Sequence, residues 1–178
     1  MVSADTPDWG REARTGWSPS RSLLGTIRRY QALQARSGPI AATRRRALVF
    51  QRRFWSAVTG ADIPLNARIG GGLIMPHPND IVIHPDAVIG PNCIFFQPLT
   101  IGTGSNDVPR IGGHVDISAG THINGAITVG DHAVIGANAV VTRNVPAGTN
   151  VGGIPARVIG QAGPGLIGGD ANVPVAGT

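Results

Sequence analysis

Five histidines and one cysteine are the side chains here that could carry acid–base, nucleophilic or metal chemistry near neutral pH. His77 stands apart from the other histidines. It lies in Met75-Pro76-His77-Pro78-Asn79-Asp80, a polar stretch stiffened by two prolines. An imidazole on such a turn can take a proton from an attacking hydroxyl or amine, the work of a general base. By position His84, His114, His122 and His132 read as outward-facing surface residues. Cys93 sits in a periodic apolar run and reads as packing rather than as a nucleophile. A single cysteine excludes an internal disulfide, and no His/Asp spacing repeats on one face, so no metal site is expected.

The elements that must hold His77 follow from periodicity. From Asp62 onward, large apolar residues recur every sixth position: Ile63, Ile69, Met75 and Ile81, then, after a two-residue slip, Ile83, Ile89, Phe95 and Ile101. A longer interruption follows, and then Ile111, Ile117, Ile123, Val129, Ile135 and Val141, which makes fourteen hexads in all. Small or branched residues often stand four positions further on, as at Ala67, Ala87, Cys93, Val115, Ala133 and Ala139, and glycine often follows the large residue. A period of six is neither helical nor simple strand alternation; it describes a short strand and a turn, repeated. Units that each bury one face against the next build a solenoid, here a parallel β-helix, so the chain is expected to be mainly β.

Composition agrees. The 178 residues include 26 Gly and 14 Pro, with 42% hydrophobic and only 4% aromatic residues, which argues for short extended segments packed by small branched side chains rather than a large helical bundle. All fifteen basic residues are arginine. Eleven of them lie in residues 1–60 against three acids, so the first third carries +8 and the remainder −3. Residues 1–20 lack periodicity and are expected to be a flexible arm. Residues 21–60 read as a short helical segment: Leu23, Ile27, Tyr30 and Leu33 share one helix face, Ser37-Gly38-Pro39 ends it, and a second helix fits Ala47 or Leu48 to Val58. The β-helix is expected over 61–160 and a mobile tail over 161–178. No apolar run approaches the roughly 18–20 residues of a membrane span and the start lacks signal-peptide order, so a cytoplasmic protein is expected.

The hexads, together with Ile69-Gly-Gly-Gly-Leu-Ile-Met-Pro-His77, Gln97-Pro-Leu-Thr-Ile-Gly102 and Val151-Gly-Gly-Ile-Pro-Ala-Arg-Val158, resemble the hexapeptide-repeat acyltransferases and specifically serine O-acetyltransferase. The resemblance covers most of residues 45–160. It implies a left-handed β-helix with three hexads per coil, a handedness that spacing alone does not reveal. It further implies acetyl-coenzyme A as acyl donor, a homotrimer, and His77 as the base that deprotonates the acceptor hydroxyl. At eighteen residues per coil, Asp62, fifteen positions before His77, would lie one coil below and orient the imidazole. The resemblance places Gly102, Thr103, Ala119 and Ala137 along a coenzyme A groove between neighbouring chains, with Arg157 near its nucleotide end. The stretch Thr103-Gly-Ser-Asn-Asp-Val-Pro-Arg110 should leave the helix as a loop that closes over the site.

The sequence departs from that pattern where the relatives recognise serine. Pro76 stands where they carry an acidic residue, and Asp107 and Val108 align with their Arg-His pair. The resemblance therefore implies an acetyltransferase whose acceptor is a hydroxyl of a small molecule other than free serine, or of a carrier-protein-bound amino acid. Three alternatives remain open: N-acetylation of an amino sugar, a non-catalytic β-helix scaffold, and a basic arm that docks nucleic acid or another anionic surface. Nucleic acid is the least favoured partner.

Overall fold

The computed structural model describes residues 2–13, 16–104 and 108–163. Two helices come first, α1 (Pro19–Gln34) and α2 (Pro39–Thr59), each with proline in its first turn, where the missing N–H costs nothing. The second helix begins well before the expected Ala47, directly after the Ser37-Gly38 break. Gly60 ends it in the left-handed conformation, φ 68°, with its N–H donating to Ser56 O at 2.8 Å.

Three stacks of short parallel strands then form the faces of a β-helix. One face holds Arg68–Ile69, Val88–Ile89, Arg110–Ile111 and Thr128–Val129. The next holds Ile94–Phe95, Asp116–Ile117, Val134–Ile135 and Thr149–Gly152, closed at the far end by Arg157–Gln161 running antiparallel. The third holds Ile81–Ile83, Leu99–Gly102, Thr121–Asn124 and Val140–Val141. The hexad residues point inward: Ile63, Ile81, Phe95, Ile101, Ile117, Ile123, Val129 and Ile135 are completely buried. The small residues four positions later fill the corners of the same core, Cys93 among them between Leu73 and Val115.

Register measures each coil. Arg110 pairs with Thr128 and Val134 with Asp116, eighteen residues apart, the length expected for three hexads. Arg68 instead pairs with Val88, twenty residues on, and Val88 with Arg110, twenty-two on. The two extra residues lie in the corner between Met75 and Ile81, and the four extra ones in the corner between Ile101 and Ile111. Strands cannot absorb insertions without turning their side chains out of the core, so the irregularities collect at corners.

The helices close the open end of the first coil. Leu23, Leu24 and Ile27 are buried against it. Arg28 donates to Ile69 O and Gly70 O, Gln31 to Ala67 O, and Arg52 to Ile63 O, so carbonyls that no lower coil could satisfy are hydrogen-bonded. Residues 3–12, expected to belong to a flexible arm, lie against the β-helix. Asn92 accepts from Asp8 N and donates to Ser3 O and Thr6 O, each at 2.8 Å, while Glu12 accepts from Gly72 N and pairs with Arg28 at 2.9 Å. Of the tail, 164–178 lie outside the described residues.

Candidate active site

The longer first-coil corner, residues 76–80, presents His77. The corresponding corners above it hold only Phe96–Pro98 and Ser118–Gly120, between inward residues Phe95 and Leu99, and Ile117 and Thr121. The two additional residues swing the chain outward, and His77 is exposed. The corner folds back onto the end of α2. Asp80 N donates to Gly60 O at 3.2 Å, and Asn79 Cα lies 3.6 Å from where a side chain on Gly60 would begin.

Asp62 opens the first coil two residues later. It bridges to Val82, its N–H donating to Ile81 O and its carbonyl accepting from Ile83 N. This coil takes twenty residues rather than eighteen, so the residue stacked over Asp62 is Val82, and His77 belongs to the corner leading up to it. The carboxylate is 69% exposed and forms an ion pair with Arg52 through Oδ1. Among the described residues His77 makes no hydrogen bond, to Asp62 or elsewhere. Sequence reasoning did not single out Arg52, because an arginine ten residues upstream on a helix leaves no periodic trace.

Ala119 and Ala137 lie exposed on the same edge as His77, one coil apart, where Asn138 N donates to Ala119 O at 2.8 Å. Coils stack about 4.8 Å apart, so these small residues extend the edge upward from His77 without bulk. Gly102 and Thr103 sit at the other end of the third face; a side chain on Gly102 would meet Asn124 Oδ1 at 3.1 Å. Within one chain, then, His77, Ala119 and Ala137 share an edge, and Gly102 and Thr103 occupy another. Arg157 begins the antiparallel strand and is exposed. Of the expected loop, residues 105–107, including Asp107, lie outside the described residues, while Val108 is half-buried.

His114 and His132 differ from the outward reading. They stack one coil apart with Nδ1 to Nδ1 at 2.9 Å, half-buried, both with left-handed backbone. Their eighteen-residue spacing was the available signal. Burial holds the His114 imidazole below its ordinary 6.5, opposed by Asp116 and aided by His132 and Arg11. Burial likewise pushes the Cys93 thiol up to about 12, which makes it inert as a nucleophile. Among the described residues no group of three or more His, Cys, Asp or Glu could hold a metal ion, and no helix is long and apolar enough to cross a membrane. A cleft of about 720 Å³ between α1 and α2, floored by Leu33 and Leu48 and rimmed by Arg29, Arg36 and Arg44, contains no general base.

No protein-family model matches the chain. Among curated proteins it is 35% identical over 157 residues to the serine acetyltransferase of Staphylococcus epidermidis, covering 81% of this chain and 72% of that one. The chain belongs to the serine acetyltransferase family. It is also 37% identical over 110 residues to the Synechococcus elongatus enzyme, covering 60% of this chain and 45% of that one. The chain spans about half the length of several curated relatives, 45% of that cyanobacterial protein and 50% of the Mycobacterium tuberculosis one. Solved structures agree. Brucella abortus serine acetyltransferase in complex with coenzyme A matches with a TM-score of 0.70 at 30% identity, over 82% of this chain and 57% of that one. Soybean serine acetyltransferase complexed with serine matches with a TM-score of 0.67 at 31% identity, over 79% and 57%. The solenoid is accordingly a left-handed β-helix.

Proposed function

We propose that this family member is an acetyl-coenzyme-A-dependent O-acetyltransferase, with His77 as general base and Asp62 as its partner. One observation carries the assignment: the two residues added to the first-coil corner put an exposed, proline-framed histidine on a corner that folds back, through Asn79 and Asp80, onto Gly60, two residues before Asp62. His77 takes the proton from the acceptor hydroxyl as its oxygen attacks the thioester carbonyl carbon. The carbon–sulfur bond then breaks, and the departing sulfur recovers that proton from the imidazolium. Asp62 stabilises the charged imidazole between the two transfers. Ala119 and Ala137 leave the edge above His77 open for the pantetheine chain of the donor, with Arg157 toward its nucleotide end.

Gly102 and Thr103 lie on a different edge of the same chain, so a groove that uses both sets of residues forms between copies, which supports a homotrimer with three sites. The acceptor is a hydroxyl of a small molecule or of a carrier-protein-bound amino acid. Pro76, with no hydrogen-bonding side chain, precedes the base, and Val108, half-buried, brings no charge to the loop's end.

The test is free-thiol release from acetyl-coenzyme A by wild type and His77→Ala, against serine, homoserine, sugars, amino sugars and carrier-bound aminoacyl groups. Acceptor-dependent release should fall by a factor on the order of 10²–10⁴ in His77→Ala, with coenzyme A affinity nearly unchanged. The active species should have about three times the chain mass. Equal turnover by the variant would remove His77 from the mechanism, and a fully active monomer would remove the inter-chain groove.

A further inference from the structure

Two bonds tie Arg52 to the entrance of the first coil. Its Nε donates to Ile63 O at 3.0 Å and its Nη2 to Asp62 Oδ1. The arginine is mostly shielded, with 22% of its side chain exposed, whereas Asp62 is 69% exposed. Left alone, a carboxylate so exposed would sample several rotamers in water. A guanidinium is a rigid planar fork, and here one prong is fixed by the backbone carbonyl of the residue next to Asp62. The other prong therefore defines where Oδ1 sits, and only Oδ2 is left to offer. Among the described residues Oδ2 accepts no hydrogen bond. The corner that carries His77 closes over the same entrance, since Asp80 N donates to Gly60 O two residues before Asp62.

We propose that Arg52 is a positioning residue, fixing the Asp62 carboxylate so that its free oxygen is presented to the corner carrying His77. The inference rests on the Asp62–His77 assignment above and adds a role for α2. The helix that closes the solenoid also orients the carboxylate on which the base depends. Arg28 and Gln31 close neighbouring carbonyls without touching an acid of the site, so closure alone does not require the Asp62 contact.

A double-mutant cycle tests this in the full chain, with kcat, KM for acetyl-coenzyme A and thermal midpoint measured for wild type, Arg52→Met, Asp62→Asn and the pair. Arg52→Met should lower kcat by roughly 10-fold to 100-fold, the range that a misplacement of about 1 Å costs, with KM changed less than about twofold. The pair should be no slower than Asp62→Asn alone, because Arg52 acts through Asp62. Arg52→Lys should recover part of the loss, since an ammonium still reaches the carboxylate. Arg52→Gln, which keeps a neutral donor for Ile63 O, substitutes if Arg52→Met fails to fold. Losses in kcat that multiply in the pair, or a fall in thermal midpoint with kcat intact, would overturn the positioning role while leaving the acetyl-transfer reading standing. Turnover independent of His77, or no turnover by wild type, would overturn both.

Discussion

Gly70, Gly90, Gly112 and Gly130 occupy equivalent places in successive coils, just after the strands of the first face, and each lies against the backbone of the coil above. A methyl group on Gly90 would fall 2.5 Å from Gly112 C, 2.5 Å from Gly113 N and 2.6 Å from Gly112 O. Relaxed contact needs about 3.5 Å, so Gly90→Ala must open the corner by about 1 Å. Two hydrogen bonds cross that gap, Gly90 N to Ile111 O at 2.8 Å and His114 N to Pro91 O at 2.7 Å. Stretched by about 1 Å, both leave hydrogen-bonding range. Their net contributions, about 1 kcal/mol each, add to about 1–3 kcal/mol of overpacking, for roughly 3–5 kcal/mol in all. For a chain of this size that corresponds to a thermal midpoint lowered by about 6–20 °C. Calorimetry at fixed protein concentration reads it, because the proposed assembly would make the midpoint concentration-dependent. Gly25→Ala is the internal control. Its position is helical and has no atom within 4 Å, so it should gain about 0.5–1 kcal/mol. A midpoint for Gly90→Ala within about 2 °C of wild type would refute the backbone-contact argument.

Two further outcomes follow from titratable groups that burial perturbs. Cys93, completely buried with its thiol pushed up to about 12, should resist thiol reagents at about pH 8 in the native protein and react once per chain after denaturation; rapid native labelling would contradict its packing role. Its silence also leaves the thiol-release assay free of background. The folded state holds His114 below 6.5, so below that value the unfolded chain binds more protons and stability falls with falling pH. His114→Asn, which tolerates the left-handed backbone at φ 51°, should lose less thermal midpoint than wild type between about pH 7 and about pH 5, and equal losses would show that this histidine does not govern acid sensitivity.

The β-helix was legible because burial in a solenoid forces a side-chain period onto the sequence, and that period is visible in single residues such as Ile111, Ile117 and Ile123. His77 was legible for the opposite reason, as a polar residue where the period broke. The start of α2 was hidden, since Thr43-Arg44-Arg45-Arg46 carries no apolar stripe even though Ala41 is buried. The docking of residues 3–12 was hidden as well. It depends on Asn92 and Glu12, and a long-range hydrogen bond from one side chain leaves no pattern to count. The Arg52–Asp62 pair escaped for the same reason. The twenty-residue length of the first coil leaves only the two-residue slip before Ile83 as its trace, since an insertion at a corner leaves the hexads on either side of it intact.

That insertion connects fold and proposed chemistry. A coil that must keep Ile63, Ile69 and Met75 inward can lengthen only at its corners, where stacking does not dictate residue identity. This chain lengthens two corners, one with His77 and one at 103–109, and they lie at opposite ends of the third face. The strand Leu99–Gly102 between them spans roughly 13 Å at about 3.3 Å per residue, too far for one substrate carbon to touch both corners of a single chain. On the proposed reading the two lengthened corners serve one site only when a neighbouring copy brings its 103–109 corner to this chain's His77. Activity should therefore depend on assembly even in a chain whose β-helix folds without it. A His77→Ala chain and a chain disabled at the 103–109 corner, each inactive alone, should regain part of the activity when mixed and reassembled.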